Sequence, residues 1–170
     1  MQCFDSDRQK PERMQQLWDV VSKVREKCPW DKIQTHRSLG SCMIDETAEA
    51  LAAAELYERL GDPENLCEEL GDLLFLILLQ SKIAEEEGIF TLEDVIDGIE
   101  KKMIRRHPHV FPDQENRGKN LSWEEIKRQE KSGKSDSFFQ EQKKILFHVQ
   151  KEMIHYLEKE TEKHGSDDMD

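Results

Sequence analysis

Residues 43–79 read MIDETAEALAAAELYERLGDPENLCEELGDLLFLILL. Apolar residues recur at spacings of three and four on both sides of the breaker Gly61-Asp62-Pro63, which predicts two amphipathic helices joined by a short turn. Each helix carries two acids at i, i+3 spacing, so both carboxylates of a pair project from one helix face. These acids are Glu46 and Glu49 in the first helix, and Glu69 and Asp72 in the second. They converge if the two helices fold back on each other.

The position of the acids on each helix matters more than their number. Glu46 falls inside the apolar stripe of the first helix, and Glu49 lies at its margin. Glu69 borders the stripe of the second helix, and Asp72 lies one step further out. In an antiparallel hairpin the two pairs are level to within about one turn, ~5 Å along the axis. The alternative is two ordinary amphipathic helices with surface glutamates, in a chain with 37 acidic residues.

Clustered carboxylates beside a core predict a metal site. They repel one another and lose hydration at a cost of several kcal/mol, so they need a cation or must stay protonated. A set of oxygen ligands without His or Cys favours Mg²⁺, with Mn²⁺ as the alternative, over zinc.

Composition limits the classes of function. A chain of 170 residues suggests one domain, or one domain with an appendage. The formal charge of −12 argues against a nucleic-acid or anionic-membrane binder, although a local basic cluster still allows a small anionic ligand. The N-terminus is too polar for a signal peptide, and the apolar run at residues 73–79 is too short to span a membrane.

The cysteines predict a cytoplasmic protein with free thiols. They form no CxxC pair or regular framework, which suits a reducing cytosol. Cys28 and His36 would make only half of a zinc site, and no second pair completes it. The four cysteines are Cys3, Cys28, Cys42 and Cys67.

Helical periodicity runs through the rest of the chain. Amphipathic helices are predicted at about 11–27, 38–60 and 63–87, and another begins at Thr91 with Asp94 in a capping-box arrangement. A short helix has Trp123 on its first turn, and an amphipathic helix follows a boundary near Gly133. Residues 113–120 are predicted to be a loop. Because no strand-like alternation of useful length occurs, the fold class should be all-α. The predicted stripes comprise Leu39, Met43, Ala50, Ala53, Tyr57 and Leu60 in the first acidic helix, and Leu66, Leu70, Leu73, Leu74 and Ile77 in the second.

A basic cluster ends the helix that begins at Thr91. Lys102 and Arg106 border its apolar stripe, whereas Lys101 and Arg105 are predicted to point to water. Cations at a helix C-terminus are favoured by the helix dipole alone. In a chain with a suspected metal site, however, phosphate is the better interpretation, because Mg²⁺ is commonly held by carboxylates together with substrate phosphates.

Trp30 lies in the loop Cys28-Pro29-Trp30-Asp31-Lys32, since a residue before proline disfavours helix. It is either a hydrophobic plug, which the residues alone favour, or a surface on which a base stacks.

Several blocks, in order and at compatible spacing, resemble the MazG family of nucleoside triphosphate pyrophosphohydrolases, within the all-α NTP pyrophosphatase group. The resemblance runs from about Leu17 to Lys127 and includes the paired signature ExxE and ExxD. The matching blocks are CPWD at 28–31, QTH at 34–36, ETAE at 46–49, ELGD at 69–72, EEG at 86–88, RRHPHVF at 105–111 and WEEIK at 123–127.

The resemblance implies a bundle of about four core helices that oligomerises, commonly as a homodimer. It implies that residues 1–130 form a MazG-like domain, followed by a polar C-terminal extension at 131–170 with one amphipathic helix. The implied activity is Mg²⁺-dependent hydrolysis of an NTP or dNTP to NMP and pyrophosphate. By this likeness the four acids bind metal, Glu46 and Glu49 are also catalytic, and Lys102 and Arg106 bind the nucleotide. Trp30 and Trp123 are candidate contacts for the base.

The expected mechanism is attack on the α-phosphorus by water activated at the metal site, with Glu49 or Asp45 as general base. One rival is a di-iron carboxylate bundle, which needs two Glu-x-x-His motifs, and the chain has only Glu152 to His155. A second rival is a non-catalytic helical nucleotide-binding or scaffold protein that retains the fold.

Overall fold

The computed structural model describes residues 10–111, 123–131, 133 and 135–164. The predictions for the polar N-terminus, for Cys3 and for the 113–120 loop lie outside these residues. All regular structure in the described residues is helical, so the all-α prediction is confirmed. The helices are α1 Lys10–Lys27, α2 Gly40–Leu60, α3 Pro63–Glu86, α4 Leu92–Arg106, α5 Trp123–Lys131 and α6 Asp136–His164, with a 3₁₀ turn at Asp31–Ile33. None of the described helices is long and apolar enough to cross a membrane.

The α2–α3 hairpin forms at the predicted breaker. Gly61 ends α2 in the left-handed conformation, with φ 74°, and its N–H donates to the carbonyl of Tyr57 at 2.8 Å. The Asp62 carboxylate then accepts from the backbone N–H of Glu64 at 2.9 Å, and Pro63 occupies the first position of α3. Local chemistry alone therefore turns the chain and packs α2 against α3.

The predicted capping box at the start of α4 also forms. The backbone N–H of Thr91 donates to the Asp94 carboxylate at 2.9 Å, and the N–H of Asp94 donates to the Thr91 hydroxyl at 3.3 Å. Just before it, Gly88 adopts a φ of 67°, a conformation that favours glycine, so α3 stops where the sequence predicts.

The chain divides into two compact units, Met1–Val95 and Ile96–Asp170, and the division falls inside α4. The core of the first unit is built on the second half of α3, against which α1 also packs. Its fully or nearly fully buried residues are Val21, Leu39, Leu76, Leu78, Leu79, Ile83 and Leu92. The prediction of a domain boundary near residue 130 stays a prediction.

Arg25 joins three elements of the first unit. Its Nε donates to Glu86 of α3 at 3.0 Å, and its Nη1 donates to the backbone carbonyls of Asp31 and, at 2.9 Å, of Gln34. The guanidinium therefore satisfies backbone oxygens of the turn segment and links α1 to α3 through an ion pair.

Only some residues of the predicted apolar stripes are buried. Ala50, Ala53 and Leu39 are buried, but Leu70 and Ile77 of α3 are 54% and 46% exposed. The described helices of the first unit leave the face carrying Leu70 and Ile77 uncovered, and periodicity cannot tell a face buried within the chain from one that awaits a partner. The α2 stripe shows the same pattern at Met43, Tyr57 and Leu60, which are all exposed.

The core generates a stability prediction. Replacing Leu79 with Ala should lower the free energy of unfolding by about 2–5 kcal/mol, because Leu79 is completely buried and its removal leaves a cavity. Chemical denaturation followed by circular dichroism measures this loss. Ile33→Ala, at an exposed position of the same unit, should cost less than about 1 kcal/mol. Equal losses in the two variants would contradict the assignment of the core.

Candidate metal centre

Three carboxylates come together where α2 packs on α3. Glu46 and Glu49 of α2 and Glu69 of α3 each offer an oxygen, and these oxygens all lie within 4.8 Å of one another. Ala50 and Ala53 follow Glu46 and Glu49 by four residues each and are buried. Small side chains at a helix contact allow a short interaxial distance, so the alanines let the acids of α2 approach α3.

The electrostatics of the cluster follow from burial and repulsion. Partial burial raises the pKa of Glu46 above its ordinary value, and the charges of Asp72, Glu49 and Glu69 raise it further. Burial also raises the pKa of Glu49, together with the charge of Glu69 and a hydrogen bond between the two carboxyl groups. Each group would be stabilised either by a proton or by a cation.

Asp72 stands apart from the three gathered acids. It is exposed and is not among the oxygens that lie within 4.8 Å of one another, although its charge is the largest electrostatic influence on the pKa of Glu46. Asp45, named beside Glu49 as a possible base, is half-buried and acts on both Glu46 and Glu49 through its charge. Three of the four predicted metal ligands are thus brought together, and the fourth lies at the edge of the cluster.

Asn65 is a site residue that the sequence reasoning missed. Its Nδ2 donates to Oε1 of Glu69 at 2.9 Å, so the amide orients the carboxylate that α3 contributes. The available signal was the spacing of Asn65 and Glu69, since residues four apart on a helix are neighbours.

The donor set fits a hard divalent cation. In an octahedral Mg²⁺ site with bonds of about 2.0–2.1 Å, ligand oxygens lie at most about 4.2 Å apart. Oxygens within 4.8 Å of one another could therefore bind one ion after their side chains rotate to bring them closer together. All three ligands are carboxylates, which suits Mg²⁺ or Mn²⁺ better than zinc. His36 is engaged elsewhere, with Nδ1 against the Gln80 amide oxygen.

Trp30 does not plug the core of the chain. Its side chain is 52% exposed, whereas the residues alone favoured a buried plug, so that interpretation is wrong. The loop is held through the backbone, because the Gln34 side chain donates to the carbonyl of Trp30 at 2.9 Å. The indole face is left exposed, as a stacking surface requires.

The predicted nucleotide-binding residues of the second unit have different environments. Lys102 is exposed, and Arg106 is partly buried with its guanidinium 5.8 Å from the ring centroid of Trp123. Arg105, predicted to point to water, also donates to Glu130 at 2.8 Å, as does Arg106 at 2.6 Å. The Arg105 side chain is still 40% exposed, so the prediction missed its ion pair and not its exposure. The phase of α4 gave no information about α5.

Comparison with known proteins finds a family whose domain matches part of the chain. Residues 34–111 match the MazG nucleotide pyrophosphohydrolase domain. The chain is 46% identical over 122 residues to the uncharacterized protein YabN of Bacillus subtilis, covering 70% of the chain and 24% of the relative. It is 42% identical over 125 residues to the nucleoside triphosphate pyrophosphohydrolase/pyrophosphatase MazG of Thermotoga maritima, covering 72% and 47%. It is 37% identical over 129 residues to the nucleoside triphosphate pyrophosphohydrolase of Escherichia coli K12, covering 72% and 48%. The chain thus spans less than half the length of these relatives.

The raised pKa values generate a prediction about stability. Folding raises the carboxyl pKa values of Glu46 and Glu49, so stability in the absence of metal falls as pH rises through those values. Glu46→Gln removes one charge from the cluster and should raise the free energy of unfolding at pH 7 by about 0.3–1 kcal/mol. The gain should shrink as pH falls and the carboxyls protonate.

Adding Mg²⁺ should reverse the order of stability, so that the wild type becomes more stable than Glu46→Gln. The ion binds the folded wild type and raises its melting temperature, and the variant should gain less because it lacks a ligand. Thermal denaturation with and without Mg²⁺, at several pH values, tests both effects. Glu58→Gln, an exposed position on α2, is the control and should behave like the wild type. A Mg²⁺ response of full size in Glu46→Gln would contradict the metal centre.

Proposed function

Because this chain belongs to the MazG family through its domain at residues 34–111, we propose that it is a nucleoside triphosphate pyrophosphohydrolase. Such an enzyme hydrolyses the α–β phosphoanhydride of an NTP or dNTP and releases NMP and pyrophosphate. The observation that carries the proposal is the group of Glu46, Glu49 and Glu69 oxygens within 4.8 Å of one another, which lies inside the matched domain. The names of the Thermotoga maritima and Escherichia coli relatives support the same activity.

We assign the metal to the acidic cluster. Glu46, Glu49 and Glu69 would hold Mg²⁺, or Mn²⁺, and Asp72 would join them from the edge of the cluster. The bound ion would supply charge neutralisation for the phosphate oxygens and acidify a water molecule. Asn65 donates to Oε1 of Glu69 and would hold that carboxylate in place for metal binding.

The chain itself supplies the base. The water oxygen bonds to the α-phosphorus as the bond from that phosphorus to the bridging oxygen breaks, and pyrophosphate leaves with the electron pair. A carboxylate with a raised pKa accepts the proton of the water more readily than an ordinary one. Glu49 is exposed and adjoins the proposed metal ligands, so an oxygen of Glu49 that the metal does not use is the first choice, and Asp45 is the alternative.

The second unit supplies groups suited to a nucleotide. Lys102 and Arg106 would bind phosphate oxygens, Arg106 through its planar fork of donors. Trp123 exposes about half of its ring at the start of α5 and would stack on the base, a role for which the exposed Trp30 is also suited.

We also propose that the chain works as a homodimer in the cytoplasm. The first unit exposes large apolar side chains, including Leu51, Leu60, Leu70 and Ile77. Apolar surface of this kind is normally covered, and a symmetric second copy is the commonest partner. The free thiols at Cys28, Cys42 and Cys67 suit a reducing compartment, and the charge of −12 gives no support for a nucleic-acid partner.

Activity is tested with a panel of NTPs and dNTPs in Mg²⁺. The wild type should release equal amounts of NMP and pyrophosphate, detected by chromatography, and EDTA should abolish the release. Glu46→Gln should lower kcat/KM by at least about 100-fold, because it removes a metal ligand. Glu58→Gln should remain within about twofold of the wild type. Undiminished turnover in Glu46→Gln, or products that are NDP and phosphate, would refute the proposal. Nucleotide binding without turnover would indicate a non-catalytic protein.

The proposed dimer is tested by size-exclusion chromatography with light scattering, which gives the molecular mass of the eluted protein. The wild type should have twice the mass of one chain, about 40 kDa for a 20.0 kDa chain. Leu51→Glu places a charge on the exposed apolar surface of α2 and should shift the mass toward that of one chain, with helicity retained. Ile33→Glu, an equally exposed position in the 3₁₀ turn, is the matched control and should stay dimeric. A single-chain mass for the wild type would contradict the proposed dimer.

A further inference from the structure

Glu130 holds two arginines with one carboxylate. Oε1 accepts from Arg105 Nε and Nη2 at 2.8 and 2.5 Å, and Oε2 accepts from Arg106 Nε and Nη2 at 3.1 and 2.6 Å. The Glu130 side chain is only 15% exposed. Each oxygen therefore receives two charge-assisted hydrogen bonds from one guanidinium, and Oε1 receives a third, longer one from Arg106 Nε at 3.4 Å. This geometry fixes both side chains.

Glu130 contacts only part of the Arg106 guanidinium. Hydrogen bonds from Arg106 and Arg105 lower the pKa of Glu130 to about 2, so the carboxylate is ionised at neutral pH. The contacts of Arg106 with Glu130 use Nε and Nη2, so Glu130 does not engage the Nη1 group, which can donate to an anion. Glu130 therefore holds Arg106 without using all of its donors.

The same helix carries an aromatic surface beside that arginine. Trp123 precedes Glu130 by seven residues, about two turns of α5, so both side chains lie on one face. The Arg106 guanidinium lies over the Trp123 ring, 5.8 Å from its centroid, and the Lys127 ammonium also lies over the ring, 4.0 Å from the centroid. The ion pair thus fixes where the cation at the end of α4 lies relative to the ring at the start of α5.

We propose that Glu130 is a positioning residue for nucleotide binding, which holds Arg106 at a fixed place beside Trp123. This inference rests on the proposed function, in which Arg106 binds a phosphate and Trp123 stacks on the base. In a nucleotide, the sugar limits the distance between the phosphates and the base. A site whose phosphate-binding group and stacking ring are already held at that distance therefore binds the nucleotide more tightly. Without Glu130, the Arg106 side chain would lose conformational freedom each time a nucleotide binds, and this loss would weaken binding.

The opposite role makes the opposite prediction. A carboxylate bound to two guanidiniums resembles a phosphate, so Glu130 would act as an inhibitor if nucleotides had to displace it. Removing its charge would then tighten binding. The Nη1 group of Arg106, which Glu130 does not engage, favours positioning, since a phosphate can bind there while Glu130 stays in place.

The test is a double-mutant cycle on nucleotide binding, using Glu130→Gln and Arg106→Ala. Binding of ATP, GTP, CTP and UTP is measured by equilibrium dialysis in EDTA, where the metal-dependent reaction does not run. Glu130→Gln should weaken binding about five- to tenfold, and Arg106→Ala should weaken it at least as much. The double variant should match Arg106→Ala within about twofold, because Glu130 acts through Arg106.

Two further variants separate positioning from general stability. Glu130→Asp keeps the charge and should restore part of the lost affinity. Asp97→Asn breaks an exposed ion pair with Lys101 in the same unit and should bind within about twofold of the wild type. Circular dichroism should show the same helicity for every variant.

The outcomes separate this inference from the proposed function. Positioning would be overturned if Glu130→Gln bound nucleotides more tightly. It would also be overturned if the affinity loss of the double variant equalled the product of the losses in the two single variants. Either result would count even where the wild type releases pyrophosphate. A wild type that binds none of the four nucleotides would overturn it as well. A wild type that binds them and shows the expected cycle, yet hydrolyses none, would leave positioning intact and refute only the proposed activity.

Discussion

The packing of α2 against α3 through Ala50 and Ala53 is the contact on which the candidate site depends. It brings Glu46, Glu49 and Glu69 together although burial and, after it, mutual repulsion raise the pKa values of Glu46 and Glu49. Two helices that carry repelling charges stay packed only when other interactions hold them together. The tight turn at Gly61 and the buried second half of α3 supply that constraint. A bound cation would remove the repulsion among these carboxylates.

The two halves of α3 have separate tasks. Its second half carries Leu76, Leu78, Leu79 and Ile83, which form most of the buried core of the first unit. Its first half carries Asn65 and Glu69, which shape the acidic cluster, and it buries little. This division keeps the destabilising charges about two turns away from the residues that stabilise the unit. Substitutions in the cluster should thus alter chemistry and local electrostatics without unfolding the domain.

Features fixed by local rules were predictable from sequence, and features that depend on distant partners were not. The turn at Gly61, the Asp62 cap and the Thr91–Asp94 box follow from neighbouring residues, and the phase of Glu46 correctly predicted its partial burial. The exposure of Ile77 was missed because periodicity marks an apolar face without saying whether the chain covers it. The ion pair of Arg105 was missed for a similar reason, since nothing in the pattern of α4 identifies Glu130 as its partner.

Charge also explains how such an acidic chain can act on an acidic substrate under the proposed function. A chain of formal charge −12 repels a free triphosphate, and long-range steering would slow its arrival. A triphosphate that arrives with a divalent ion carries about two fewer negative charges, and that ion is what the acidic cluster would bind. The acids would then select the metal complex over the free nucleotide. Under the proposed function, the negative charge of the first unit therefore favours the metal-bound form of an acidic substrate.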